Sequence, residues 1–359
     1  MRPGPHVLVF PSYNDNPFLN LLQLAAAADG YRIVRANTYD DLVSHARELE
    51  RGDVLHLHWT TPILQQAPTE SAARQRLSAM RDGLARLRGR GVGVVWTVHN
   101  RLPHELTFRD LEVRLMQTIA AAADAIHVMA PHTRAALADV VDLPEDRIRV
   151  LPHPSYEGIY DTRAPRDASR AAFGLGDGER AVLFLGQIRP YKGVDALVTA
   201  AASAAERADI ALLLAGQVKG MSADDFAASI PDEVHAVTQL SFVDDGDMAG
   251  WFGAADVAVF PYRAILNSGS VHLAATFRVP VVLPGDPFLR EQFSAEPWVA
   301  FFDPADPAAS IADLLADPDL FAGVDDASFD AFLAGIAPWD VSRSYSALLS
   351  DVSRSAGAR

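Results

Sequence analysis

The chain has 359 residues, 49% of them hydrophobic, with no cysteine and a formal net charge of −15. That length exceeds one ordinary core and fits two domains. The lack of cysteine excludes disulfides, thiolate nucleophiles and Cys-ligated zinc, and the acidic balance argues against a nucleic-acid partner, which needs a basic face.

Taken from the N-terminus, HVLVF (6–10) reads as a strand, LNLLQLAAAA (19–28) as a helix, and YRIVRA (31–36), DVLHLHW (53–59) and VGVVWTVHN (92–100) as further strands. A helix around 108–123 leads to strand AIHVMA (125–130), and one from Thr133 leads to RIRVLPHP (147–154). No apolar run of about 18 residues is present, and MRPGPHVLVF lacks the apolar segment and cleavage site of a signal peptide, so a cytoplasmic protein is expected. The polar stretch SYEGIYDTRAPRDAS (155–169) reads as a linker. Beyond it the alternation restarts with AVLFLG (181–186), a helix from Val194, IALLLAG (210–216), a short strand near 234–242, ADVAVFPY (255–262), a helix from Ser268, and VPVVLP (279–284). PWDVSRSYSALLSDVSRS (338–355) has the spacing of a final amphipathic helix.

Strands alternating with helices predict parallel pairing with right-handed crossovers. The expected fold class is α/β, two doubly wound Rossmann-like domains facing across a cleft. Ligands of such sheets lie beyond the carboxyl ends of the strands, which here carry PSYND, HWTTP and HNRLPHE in the first half. The halves also differ in charge. Residues 1–160 hold 17 Arg against 18 Asp plus Glu, so nearly all the excess acid lies in the second half. Within the first half, RQRLSAMRDGLARLRGRG (74–91) sets Arg74, Arg81 and Arg88 at heptad spacing. That pattern is either a solvated helix face or a surface for anionic lipid headgroups.

Two stretches carry chemistry. In FLGQIRPYKG (184–193) a strand ends at Gly186 and is followed by Arg189 and Lys192, one of only two lysines against 29 arginines. A planar guanidinium and a compact ammonium together can neutralise a diphosphate; the plain alternative is a pair of surface cations. In PYRAILNSGSVHLAATFRVPVVLP (261–284), Asn267, Ser268, Gly269 and Ser270 precede a helix whose first N–H groups and dipole suit an anion. An ordinary serine N-cap is the competing reading. His56 and His58 share one strand face and resemble a metal pair, but no third ligand is evident, so no metal is expected.

The order FLGQIRPYKG, LLLAGQ (212–217), SFVDDGDMAGWFGAADVAVFPYR (241–263) and NSGSVHLAATFRVPVV resembles the nucleotide-sugar half of GT-B glycosyltransferases, most of all the large retaining family 4-like group. The first half is similar as well, through YNDNPFLNLL (13–22), HLHW (56–59), TVHNRLPHE (97–105) and HPSY (153–156). The resemblance covers essentially the whole chain. It implies an acceptor domain over 1–160, with a C-terminal helix over 340–359 packing back on it, and a donor domain over 161–339. Arg189 and Lys192 would hold the donor diphosphate beside Gly186, and Asn267, Ser268, Gly269 and Ser270 would receive phosphate.

One departure matters. The family's paired glutamates fall on Ile265 and Leu273, so both carboxylates are missing. Bacterial polysaccharide enzymes with a serine-glycine loop there, including the inverting xanthan-type β-mannosyltransferases, look closer. An inverting enzyme needs a general base. Asp15 is the first candidate, although such a loop residue also simply builds a turn; Glu105 and His104 are the second. His99 lies where related enzymes use a histidine near the donor sugar, and Asn14, His153 and Tyr156 are candidate substrate contacts, the last two equally readable as hinge residues. The implied activity is metal-independent transfer of a hexose, such as mannose, from a GDP- or UDP-linked donor to a glycan, glycolipid or natural-product hydroxyl, without a cofactor. A catalytically silent nucleotide-sugar-binding scaffold and a GT-B-like epimerase are the alternatives.

Overall fold

A computed structural model describes residues 4–263 and 265–359, which include every candidate site residue. The chain forms two compact units, Met1–Pro154 with Ile336–Arg359, and Ser155–Gly335.

In the first unit, β1 (His6–Phe10), β2 (Arg32–Arg35), β3 (Val54–Leu57), β4 (Gly93–Thr97), β5 (Ala125–Val128) and β6 (Ile148–Val150) form one sheet in the order β2-β1-β3-β4-β5-β6. In the second, β7 (Arg180–Leu185), β8 (Ile210–Ala215), β9 (His235–Gln239), β10 (Val257–Val259), β11 (Val281–Pro284) and β12 (Val299–Phe302) pair in the order β12-β11-β10-β7-β8-β9. All pairings are parallel, as the alternating pattern predicts. Strands β3, β4, β5, β8, β10 and β11 are buried at every position, whereas β2, β6 and β9 at the edges are not. Helices cover both faces of such a sheet, so its central strands read as unbroken apolar runs.

The order reverses once in each sheet. In the second, β7 sends its crossover towards β8 and β10 sends its own towards β11, so the loops after these adjacent strands diverge and leave a crevice. The corresponding pair in the first sheet is β1 and β3.

The helix Pro338–Gly357 belongs to the first unit. Its Val341, Tyr345, Leu348, Leu349 and Val352 enter one apolar cluster with Val7 and Val9 of β1, Val95 of β4, and Leu19 and Leu22 of helix Pro17–Ala28. Between the two helices, Ser342 Oγ accepts from Ala25 N at 2.8 Å and donates to Leu22 O at 2.9 Å. The supposed linker is only partly irregular, because Arg166–Ala172 is a helix. Its buried Arg170 gathers the carbonyls of Gly176 and Glu179, each at 2.7 Å. Beyond the last sequence-read strand, the chain still supplies β12 and helix Pro307–Ala316.

Because Leu349 is wholly buried in that cluster, Leu349→Ala should cost about 2–5 kcal/mol. The measurement is the urea midpoint of the first unit. An unchanged midpoint would show that the last helix is not part of its core.

Candidate active site

At the β7/β10 crevice the chain brings its two cation-bearing and anion-receiving stretches together. After Gly186 the backbone runs to Arg189, which precedes a 3₁₀ turn over Pro190–Lys192. Gly193 follows at φ 66°, where a Cβ would sit 2.0 Å from the Pro261 carbonyl oxygen, so only glycine permits this approach to the end of β10. Arg263 locks the two loops from the other side. Its backbone N–H donates to Tyr191 O at 3.0 Å, and its guanidinium donates to Pro190 O at 2.9 Å and pairs with Asp195.

Arg189 donates from Nε to Gln187 Oε1 at 3.0 Å. The Lys192 ammonium lies 3.9 Å from the centre of the Tyr262 ring. That ring is buried, and its hydroxyl donates to Ser270 Oγ at 3.0 Å. Ser270 is in the first turn of helix Gly269–Thr276, capped by Ser268. Ser268 does not cap with its side chain, and its buried hydroxyl has no hydrogen-bond partner. Its carbonyl accepts from His272 Nδ1 at 2.8 Å, which holds the loop against the helix. Nothing in the sequence pattern singled out Tyr262, Arg263 or His272, whose partners lie across a loop or one helical turn.

The first unit gathers histidines at its β1/β3 crevice. The His127 Nε2 to Leu151 O contact of 2.9 Å fixes a chain of directions, because a carbonyl only accepts. Thr97 therefore donates to His127 Nδ1 at 2.9 Å, His56 Nε2 donates to Thr97 at 2.7 Å, and Tyr345 donates to His56 Nδ1 at 2.7 Å. With both ring nitrogens engaged, His56 cannot pair with His58 on a metal. Among the described residues no group of three or more His, Asp or Glu side chains could hold one.

A second histidine pair lies beside this relay. His58 Nδ1 is 2.8 Å from His99 Nε2, and His99 stacks on Trp59 with ring centres 3.9 Å apart. Trp59 in turn lies 5.9 Å from Tyr13, so the ends of β1, β3 and β4 present a wall of rings that the sequence left unremarked. Asn14 and Asp15 form an exposed turn after β1, and His104 and Glu105 are exposed in the loop after β4. That loop is tied down through Gln65, whose Oε1 accepts from Thr107 and Phe108 N–H while its Nε2 donates to buried Glu112 at 2.6 Å. His153 is buried against Phe18, ring centres 4.8 Å apart, and its Nδ1 donates to Pro154 O at 2.7 Å. Tyr156 belongs to the second unit, where its N–H donates to Thr276 Oγ1 at 2.9 Å.

The arginine-rich stretch is the helix Glu70–Gly89. Its heptad arginines each meet a carboxylate: Arg74 pairs with Glu70, Arg81 with Asp82, and Arg88 with Asp124. Arg76 lies over the Tyr39 ring, and Arg90 caps the carbonyls of Ala46 and Arg47. The six arginines of 74–90 thus have three carboxylates between them, and Asp124 also pairs with Arg359, so positive charge remains on this stretch.

The family models divide the chain where the two units divide it. The first unit matches the glycosyltransferase family 4 model over residues 5–154, and the second matches the model of glycosyl transferases group 1 over residues 179–317. A D-inositol 3-phosphate glycosyltransferase of Mycolicibacterium vanbaalenii is 29% identical over 61% of this chain, and the match spans 54% of that protein's length. A GDP-mannose:glycolipid 4-beta-D-mannosyltransferase of Xanthomonas campestris is 26% identical over 76% of this chain and 71% of its own. Among solved structures, sucrose-phosphate synthase of Thermosynechococcus elongatus superposes with TM-score 0.71 at 15% identity, covering 98% of this chain and 100% of that one. HepE of Anabaena with UDP-glucose superposes with TM-score 0.69 at 14% identity, covering 97% and 99%. At those identities the structural likeness establishes the fold, which is GT-B.

Burial sets the charge of the histidines. It holds His56, His58 and His99 well below the usual imidazole range, with neighbouring imidazoles pushing the same way, and pushes His127 and His272 down to about 4. Above pH 6.5 these last two are neutral whether the chain is folded or not. Below it the unfolded chain takes up protons that the folded chain refuses. Stability should therefore be level above pH 6.5 and fall by about 1.4 kcal/mol per pH unit for each such histidine down to about pH 4. Urea midpoints at pH 7 and pH 5 test this, and equal midpoints would contradict it.

Proposed function

Both halves of the chain are glycosyltransferase domains, a family 4 domain followed by a group 1 domain, and we propose that the protein transfers a hexose from a nucleoside diphosphate sugar to an acceptor hydroxyl. The observation that carries this reading is the β7/β10 crevice, where the loop bearing Arg189 and Lys192 is joined through Tyr262 and Arg263 to the start of helix Gly269–Thr276. Transfer breaks the bond between the anomeric carbon and the diphosphate, so negative charge grows on the leaving oxygens. Preorganised donors aimed at that charge lower the barrier. Arg189 supplies a planar pair of N–H groups, Lys192 a point charge, and the backbone amides of Ser268, Gly269 and Ser270 the helix-terminal dipoles. Gly186 and Asn267 line the same loops. With two protein cations for the two phosphates, the reading is metal-independent.

Donor identity is proposed from the relatives. The Xanthomonas enzyme uses GDP-mannose by name, and HepE is solved with UDP-glucose, so GDP and UDP are the nucleotides to test and mannose the first sugar. Leu273 and Ile265 bring no carboxylate to the sugar, so it must be held by other groups. An inverting displacement then needs a base on the acceptor side. Asp15, exposed in the turn after β1, is the first choice, and Glu105 with His104 the second. His99, stacked on the Trp59 ring, is proposed to meet the reacting sugar, and Asn14, His153 and Tyr156 are proposed substrate contacts. For the helix Glu70–Gly89, the pairing of the three heptad arginines favours a solvated stripe over a membrane contact there.

Replacing Arg189 or Lys192 with alanine should lower kcat/KM at least about 100-fold, since each removes a charge-assisted contact to the developing diphosphate. Asp15→Asn should lower kcat by about 100-fold or more while donor binding holds, because base catalysis contributes roughly that factor. The founding experiment is calorimetric titration with GDP and UDP in the presence of a chelator. Absence of binding by both would refute the donor site.

A further inference from the structure

The β7/β10 crevice contains a side chain that touches both of its halves. Tyr262 follows β10 and is 5% exposed. Its ring carries the Lys192 ammonium at 3.9 Å, and its hydroxyl donates to Ser270 Oγ at 3.0 Å. Lys192 comes from the loop after β7 and Ser270 from the first turn of the helix after β10. These loops diverge at the order reversal; one backbone bond, Arg263 N–H to Tyr191 O, joins them, but it reaches neither the Lys192 ammonium nor the helix start.

We propose that Tyr262 is the positioning residue that couples Lys192 to the N-terminus of helix Gly269–Thr276, making one diphosphate-binding unit of two separate loops. The inference rests on the donor-site reading above. An ammonium has three N–H donors and a flexible stem of four carbons, so a free lysine loses much freedom on meeting a phosphate. An aromatic face attracts the ammonium electrostatically and occupies only one side of it. The remaining donors stay available to phosphate oxygens while the stem is already ordered. The hydroxyl bond to Ser270 does the same for the helix start, fixing the amide-bearing turn relative to the cation. Phe260, its ring centre 5.7 Å away, and the Tyr262 N–H bond to Phe260 O at 2.8 Å keep the tyrosine itself in place. Arg263, the next residue, holds the Pro190–Tyr191 backbone. Two consecutive side chains therefore fasten one loop to the other.

The test is calorimetric titration with GDP and UDP, and with GMP and UMP, on the full chain and its variants. Tyr262→Phe keeps the ring and removes the hydroxyl; it should fold normally and weaken nucleoside diphosphate binding about 3-fold. Tyr262→Leu removes both contacts and should weaken it at least about 10-fold. Monophosphate binding should fall less than 2-fold in each, because the coupling serves the second phosphate; a general disturbance of the unit would weaken both ligands alike. In a Lys192→Met background, Tyr262→Leu should add less than a further 3-fold, since its effect through the ammonium is already gone. Full additivity of the two substitutions, or equal losses for mono- and diphosphate, would overturn the coupling. If the unaltered protein binds neither diphosphate, the donor site itself is wrong and the coupling falls with it. If the unaltered protein binds and Tyr262→Phe and Tyr262→Leu bind equally well, only the coupling fails.

Discussion

Parallel pairing is the constraint on which everything else rests. A parallel strand cannot return by a hairpin, so each must be followed by a crossover that carries the chain back over a face of the sheet. All carboxyl ends then emerge on one edge, and that edge receives whatever polar residues the loops contain. The single reversal of order in each sheet opens that edge at one place. In the second unit this place separates β7 from β10, and Gly193, packed against the Pro261 carbonyl, lets the two loops approach there. The anion-binding role proposed for the crevice rests on what those loops carry, not on any property of the sheet.

The first unit uses the same edge differently. Its strand ends place imidazoles where a soluble surface would ordinarily have carboxylates or hydroxyls, and burial keeps them neutral. The relay from Tyr345 through His56, Thr97 and His127 to Leu151 O satisfies every polar atom it contains. Such a network resists rearrangement because each member's proton position is fixed by the next. His58 is the exception, since its Nε2 is buried without a partner. It lies directly behind His99, so the one unsatisfied atom of the array sits next to the residue proposed to meet the sugar.

The sheets were legible in the sequence because their central strands are buried on both faces and therefore appear as unbroken apolar runs. Lys192 draws notice for a compositional reason, since a lysine stands out among 29 arginines, and Arg189 is noticed as its neighbour; the proposed site rests on that pair. Partners distant in sequence were not legible. His56 and Tyr345 are separated by 289 positions, and no local pattern announces that a tyrosine of the last helix will cap a histidine of β3. The arginines show the same limit. Arg74, Arg81 and Arg88 suggest an outward-facing cationic stripe by their heptad spacing, yet other arginines of the chain cap the carbonyls that helices leave unpaired at their C-termini. Arg90 caps Ala46 and Arg47, Arg147 caps Ala121 and Ala123, and Arg180 reaches Leu315 and Asp317. The guanidinium's fixed fork suits two adjacent carbonyls better than an ammonium does, which gives a structural use for a composition so poor in lysine.

The helix Pro338–Gly357 completes the core of a unit whose strands were all translated long before it. The whole of Ser155–Gly335 passes through the ribosome in between, which at ordinary elongation rates takes roughly 10–40 s. During that interval β1 and β4 lack the apolar face that Val341, Tyr345, Leu349 and Val352 provide, while the second unit, continuous in the chain, has everything it needs. Nascent chains usually mature from the N-terminal domain onward. Here the order of completion is inverted: the second unit's sequence is whole first, and the first unit lacks that apolar face until the helix Pro338–Gly357 is made.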